Sequence, residues 1–156
     1  MVVIKLFRFG SFLYRKGFHR TAKLISYLNR FLFAVWIPSQ AKIGKNFKLG
    51  YGGLGGVIHH DTEIGDNCLV AQNVTIGRRF KDKKVPVIGN DVYIGAGSLI
   101  FGEITIGNNV IIGGNSVVSE SVPDNTTVVG NPMRIVKRDR KEKYYEMDIK
   151  HNPNAI

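Results

Sequence analysis

An aliphatic side chain recurs at every sixth position through the middle of this chain: Ile58, Ile64, Val70, Ile76, then Ile88, Ile94, Ile100, Ile106, Ile112 and Val118. Gly follows many of them, at Gly65, Gly77, Gly89, Gly95, Gly107 and Gly113. Two residues earlier stands a small or β-branched side chain in most cases: Thr62, Cys68, Val74, Val92, Ser98, Ile104, Val110 and Ser116. A short internal period of this kind governs the whole fold. Six is neither the 3.6 of a helix nor the 2 of a lone strand. It fits a short strand followed by a sharp turn, and Gly65-Asp66-Asn67, Gly89-Asn90-Asp91 and Gly107-Asn108-Asn109 supply residues that tolerate tight or left-handed backbone there. Three hexads close one triangular coil, and stacked coils pair their strands in parallel about 4.8 Å apart. The Ile/Val column then faces the axis and the small column fills the corners. The expected fold is an all-β solenoid of about five such coils over residues 39–133, with a helical, basic and aromatic segment at 1–38 and a basic tail at 134–156.

The repeat breaks twice, and departures from a local rule mark candidate functional sites. In Leu49-Gly50-Tyr51-Gly52-Gly53-Leu54-Gly55-Gly56-Val57-Ile58-His59-His60-Asp61, the pairs Ile43-Gly44 and Leu49-Gly50 are three residues out of step with Ile58. Five glycines in the seven positions 50–56 allow close backbone approach. The second break, Arg78-Arg79-Phe80-Lys81-Asp82-Lys83-Lys84-Val85-Pro86, replaces a hexad with a polar, basic stretch and reads as a loop thrown out from the prism.

Charge is distributed unevenly over the 156 residues. Residues 1–60 hold ten Lys/Arg and no acid, residues 61–156 hold twelve of each sign, and the net charge is +10. No recognised nucleic-acid motif accompanies this charge, so no nucleic acid is expected. In Arg20 to Trp36 the apolar Leu24, Leu28, Phe31, Leu32 and Val35 recur at three- and four-residue steps until Pro38, which reads as a helix. Residues 1–37 are expected to pack on the solenoid or on a neighbouring subunit, or to lie on an anionic leaflet. The longest apolar run, Phe31 to Ile37, falls well short of the ~18 residues a membrane span needs. Basic residues interrupt the N-terminus, and no signal-peptide core is present. The expected location is therefore cytoplasmic, at the inner face of the membrane if the segment docks there. The single Cys68 excludes a disulfide framework or a multi-thiolate zinc site and falls in the small column as core filler.

The hexads, with the closing run Val128-Val129-Gly130-Asn131-Pro132-Met133-Arg134-Ile135-Val136, resemble the hexapeptide-repeat acyltransferases over residues 41–133. The left hand of the parallel β-helix and acyl transfer are what this resemblance implies. Tyr51 through Gly65 is similar to the active-site region of the serine acetyltransferase-like branch, which includes enzymes that decorate surface polysaccharides. The branch uses acetyl-CoA and a His general base at a cleft between two subunits of a trimer. The likeness implies an acetyl-CoA-dependent O-acetyltransferase with no metal, assembled as a homotrimer, with Tyr51, Gly52, Gly53 and Asp61 near the acceptor. In serine acetyltransferases an Asp-His pair occupies the positions of Tyr51 and Gly52, and a second His falls near Val85. On that departure the expected acceptor is a sugar hydroxyl of a surface-polysaccharide precursor. Serine is the alternative, followed by an amino-sugar nitrogen and a non-catalytic trimeric scaffold.

Of the four His, His19 lies in the N-terminal segment and His151 in the tail, so only His59 and His60 fall within the repeat. An acceptor hydroxyl must lose its proton as it attacks a thioester, and an imidazole titrating near 6.5 suits that task. His59 takes a position usually held by Gly and is the first candidate base; His60 is its neighbour or a substrate contact. Asp61 is close enough to set a tautomer. Two adjacent His cannot supply the three ligands of a zinc hydrase. By resemblance, the pantetheine arm passes a ledge of Gly95-Ala96 and Gly113-Gly114, one coil apart, beside Gly77. Arg78, Arg79, Arg134 and Lys137 are candidates for the coenzyme phosphates.

Overall fold

Residues one coil apart pair throughout the centre of the chain, as the hexad register requires. The computed structural model describes residues 1–151, so the last five residues of the tail lie outside the described residues, as does the side chain of His151. Face one stacks β1 (Lys42–Ile43), β4 (Glu63–Ile64), β7 (Val87–Ile88) and β10 (Thr105–Ile106). Face two stacks β2 (Lys48–Leu49), β5 (Leu69–Val70), β8 (Tyr93–Ile94), β11 (Ile111–Ile112) and β13 (Thr127–Val129). Face three stacks β3 (Val57–Ile58), β6 (Thr75–Gly77), β9 (Leu99–Phe101) and β12 (Val117–Val118). All these pairings are parallel and in register: Ile64 on Ile88, Val70 on Ile94, Ile76 on Ile100. The first and last levels are each completed by one bridging residue, Trp36 on Val57 and Val122 on Ile106. The prism thus has three full levels between two partial ones.

The Ile/Val column is buried, from Ile58 through Val118, and the small column with it, including Thr62, Cys68, Val74, Ser98 and Ser116. Burying each such aliphatic side chain is worth about 1.5–3 kcal/mol, which makes this axis the main source of stability. The thiol of Cys68 is buried in it and pushed up to about 11, chiefly by burial.

The corner between faces one and two closes through repeated polar contacts. There, Asn46, Asn67, Asp91, Asn109 and Asn125 all have positive φ. Their side chains run along the stack: Asn46 Nδ2 donates to Asn67 Oδ1 at 3.0 Å and Asn67 Nδ2 to Asp91 Oδ1 at 3.0 Å. The residue before each accepts a backbone N–H of the adjacent coil: Asp66 from Lys45 (2.6 Å), Asn90 from Asp66 (2.8 Å), Asn108 from Asn90 (2.8 Å) and Asp124 from Asn108 (2.7 Å). Gly at the head of the turn follows from the same closeness. A Cβ on Gly65 would lie 2.6 Å from the Gly89 carbonyl oxygen.

Before the solenoid, α1 (Val2–Arg15) and α2 (His19–Phe33) form a hairpin broken at Gly17. The helical stretch ends earlier than Pro38 because Ala34 adopts a left-handed φ of 51°. Of the apolar stripe, Val35 is buried, whereas Leu24, Leu28, Phe31 and Leu32 face away from the solenoid and are exposed. The contact face of α2 is instead Ala22, Ser26 and Asn29, small or polar residues that let the helices approach. Ser26 Oγ lies 2.9 Å from Ser39 Oγ, and Asn29 Nδ2 donates to the Val3 carbonyl at 3.2 Å. From α1, Arg8 donates to the carbonyls of Ile43 and Gly44 and ties the hairpin to the first coil.

After β13 the chain reverses into β14 (Arg134–Lys137), which pairs antiparallel and ends face two. The tail then straps the Asn corner, with Lys143 Nζ at 2.9 Å from Asp91 Oδ2 and the Tyr145 hydroxyl donating to Asp91 Oδ1 at 3.1 Å. It continues into α3 (Tyr144–His151).

Gly65→Ala is expected to lower unfolding free energy by about 1–3 kcal/mol through overpacking. Gly77→Ala, whose added Cβ meets nothing within 4 Å, stays within about 0.5 kcal/mol. Urea titration of the two variants checks the contrast.

Candidate active site

Face three turns into face one without an Asn ladder, and the two histidines stand at that corner. His59 follows β3, donates its backbone N–H to the Ile76 carbonyl (2.9 Å) and accepts from the Thr62 N–H (3.1 Å). The backbone is thereby pinned to the next coil while the side chain leaves the prism. His60 stacks on it, with ring centroids 4.1 Å apart and planes at 27°. Asp61 closes the group. Its N–H donates to His59 Nδ1 at 3.2 Å, and its Oδ2 lies 3.2 Å from His60 Nε2 and 3.8 Å from His59 Nδ1.

These contacts assign the two rings different roles. His59 Nδ1 accepts a hydrogen bond, so its neutral ring carries the proton on Nε2 and its lone pair is engaged. His60 turns its Nε2 edge toward the Asp61 carboxylate, so Nδ1 is the ring nitrogen left outside that contact. Burial pushes the His59 imidazole below its ordinary 6.5; the His60 ring lowers it further, Asp61 opposes this, and the Arg78 charge adds to the lowering. These surroundings favour the neutral form of the His59 ring. One donor atom from each of His59, His60 and Asp61 lies within 4.8 Å of the others, which makes them the group among the described residues best placed for an ion. Their bonds to one another account for the same geometry.

The His60 side chain, 53% exposed, opens into a cleft of about 370 Å³. Tyr14, Gln40, Lys42 and Glu63 line it, and Lys42 Nζ lies 2.6 Å from Glu63 Oε1. The same four residues also line a larger groove of about 680 Å³ between α1 and face one, which adds Arg8 and Arg15. The sequence reading did not find this cleft. Tyr14 reaches it only because α1 crosses face one. The Lys42 and Glu63 pair was within reach, since opposite charges occupy equivalent positions one coil apart.

The remaining candidates divide by corner. Gly77 and Arg78 stand on the coil above His59, beside the histidines. Arg79 follows but turns along the stack, donating to the Ser119 carbonyl at 3.0 Å with its guanidinium 5.4 Å over Phe101. Tyr51, Gly52 and Gly53 form a turn at the corner between faces two and three, where Tyr51 is 86% exposed with φ 47°. Gly95-Ala96 and Gly113-Gly114 stack at that same corner: a Cβ on Gly95 would lie 2.5 Å from the Gly114 nitrogen. Within one chain, this corner is separated from His59 by the width of face three. Arg134 and Lys137 are exposed on β14 at the far end.

A family model described as bacterial transferase hexapeptide (six repeats) matches residues 86–120. The chain is 42% identical over 146 residues to the serine acetyltransferase of Staphylococcus epidermidis strain ATCC 35984, covering 92% of this chain and 68% of that protein. The Staphylococcus aureus strain Mu50 serine acetyltransferase matches with the same identity and coverage. Among solved structures, the serine acetyltransferase of Brucella abortus strain S19 superposes with a TM-score of 0.84 at 32% identity, over 88% of this chain and 57% of that one. The same enzyme in complex with coenzyme A gives 0.83, over 86% and 54%. This chain thus spans little more than half the length of those solved chains. The likeness bears out the left-handed parallel β-helix.

These relatives overturn the expected sugar-hydroxyl acceptor and the link to surface-polysaccharide synthesis. That expectation rested on the absence of an Asp-His pair at Tyr51 and Gly52. The similarity to serine acetyltransferases extends along nearly the whole chain, and a carboxylate–imidazole contact does exist, one corner away, between Asp61 and His60.

By NMR titration, the His59 ring is expected to have its midpoint below 6.5. The midpoint should rise in Arg78→Gln, because removing a neighbouring cation favours the imidazolium. A midpoint unmoved by that substitution would contradict the assigned electrostatics.

Proposed function

We propose that this chain, which belongs to the serine acetyltransferase family of hexapeptide-repeat transferases, moves an acetyl group from acetyl-CoA to the hydroxyl of serine. Similarity to serine acetyltransferases along nearly the entire chain is the observation that carries this reading. The local chemistry supports it. A serine hydroxyl titrates far above pH 7 and must give up its proton as it attacks. In our reading His60 Nδ1 takes that proton, and Asp61, 3.2 Å from Nε2, holds the tautomer and stabilises the imidazolium. The hydroxyl oxygen bonds to the acetyl carbon, the tetrahedral intermediate collapses, and the carbon–sulfur bond breaks. The departing thiolate recovers the proton from His60. A neutral His59 stacked alongside avoids repelling the imidazolium. General-base assistance of this type is worth roughly 10²–10⁴-fold.

The groove beneath α1 suits an amino-acid acceptor, because Arg15 and Lys42 can face its carboxylate and Glu63 its ammonium group. Gly77 leaves open space beside the histidines for the donor, since a Cβ there would touch nothing within 4 Å. Arg78 and Arg79 are the nearest candidates for the coenzyme phosphates, with Arg134 and Lys137 more distant ones. The glycine ledge and Tyr51 lie on another corner, so a cleft joining them to His60 takes two chains. That geometry supports a homotrimer in which each site is shared between neighbours.

Thiol release from acetyl-CoA, followed with and without serine, tests the reading. Serine should accelerate it. His60→Ala should lower kcat by roughly 10²-fold or more, and Asp61→Asn by a smaller factor. If His59→Ala abolishes turnover while His60→Ala does not, the base is His59. If serine leaves thiol release unchanged, the acceptor assignment falls.

A further inference from the structure

The outward face of the helical hairpin is both apolar and cationic. On α2 the exposed residues Leu24, Leu28, Phe31 and Leu32 form one stripe, with Phe31 87% exposed. On α1 the exposed Val2, Phe9 and Phe12 run along the outer side. Between them stand Lys5, Lys16, Arg20, Lys23 and Arg30, all exposed, and no carboxylate occurs before Asp61. The basic groups lie along the rings: Lys16 Nζ is 5.9 Å from the Phe12 centroid and Lys23 Nζ 5.9 Å from that of Tyr27. Apolar bodies with cationic tips side by side are the arrangement in which long basic side chains snorkel from an apolar phase to its charged boundary.

We propose that this hairpin face docks the protein onto an anionic lipid surface, lying in the plane of the interface. Neither helix is long and apolar enough to cross a membrane. The composition argues for lipid over a second copy of the chain. Two such faces brought together would oppose basic residues on both sides with no acid to offset them, which disfavours association. An anionic leaflet neutralises the basic residues and accepts the leucines and phenylalanines together. The docking face also lies away from the groove. Arg8, Ser11, Tyr14 and Arg15 line the cavity on another side of α1, so docking leaves the path to His60 open. The proposal is independent of the acceptor assignment.

Co-sedimentation of the full chain with vesicles tests it. The chain should pellet at least tenfold more with vesicles of phosphatidylcholine containing about one-third phosphatidylglycerol than with phosphatidylcholine alone, and high salt should reverse this. Leu24→Ser combined with Phe31→Ser should lose at least tenfold of the bound fraction while acetyl-CoA turnover stays unchanged, which shows that the variant is folded. No binding to the anionic vesicles, or equal binding to both kinds, overturns the proposal. So does a drop in oligomer size of the double variant by light scattering, which would assign the face to a second copy.

Discussion

The close axial stacking of coils governs the rest of the structure. Adjacent coils meet at strand-pair distance, so every backbone group at a corner must find its partner in the coil above or below. Asp66, Asn90, Asn108 and Asp124 meet that demand by accepting N–H groups of the neighbouring coil. The glycines before them are needed because their neighbours leave no room for a Cβ. The corner between faces three and one lacks such a ladder, and there the chain departs from regularity. It carries His59-His60-Asp61 on one level and the 78–86 loop on the next. The two histidines thus stand where the stacking rule is relaxed, on a backbone still pinned by His59 N–H to the Ile76 carbonyl.

Two adjacent histidines with similar surroundings in sequence become unlike through a single residue. The Asp61 N–H engages one ring and its carboxylate faces the other. The first ring has its Nδ1 engaged and its neutral form favoured; the second meets the anion at Nε2. Sequence placed His59 first, on the ground that a bulky side chain follows the Ile column. The contacts of Asp61 are why the proposed mechanism takes His60 as the base. The distinction depends on a turn geometry that neither residue type specifies.

The hairpin shows the same limit of pattern reasoning. The three- and four-residue spacing of Leu24, Leu28, Phe31 and Leu32 describes a helix with an apolar stripe and says nothing of what the stripe meets. Ala22, Ser26 and Asn29 pack closely against α1 and leave the bulky side chains outside. Close backbone approach and buried hydrogen bonds from Ser26 and Asn29 determine which face of α2 turns inward, while the bulky side chains buried in the hairpin, Val3 and Phe7, come from α1.

The hexad alone determined the solenoid, its inward Ile/Val column, the small corner column that contains Cys68 and the extruded 78–86 loop. Each follows from a repeat whose chemistry is local and identical from coil to coil. The glycine ledge was legible for the same reason, since residues one coil apart must stack. Only the tertiary structure decided that Tyr51 and the ledge stand across face three from His59, that Tyr14 from α1 reaches the histidine cleft, and that α2 turns its stripe outward. Those outcomes depend on how non-repeating segments meet the prism, and contacts between elements far apart in the chain leave no periodic trace in the sequence.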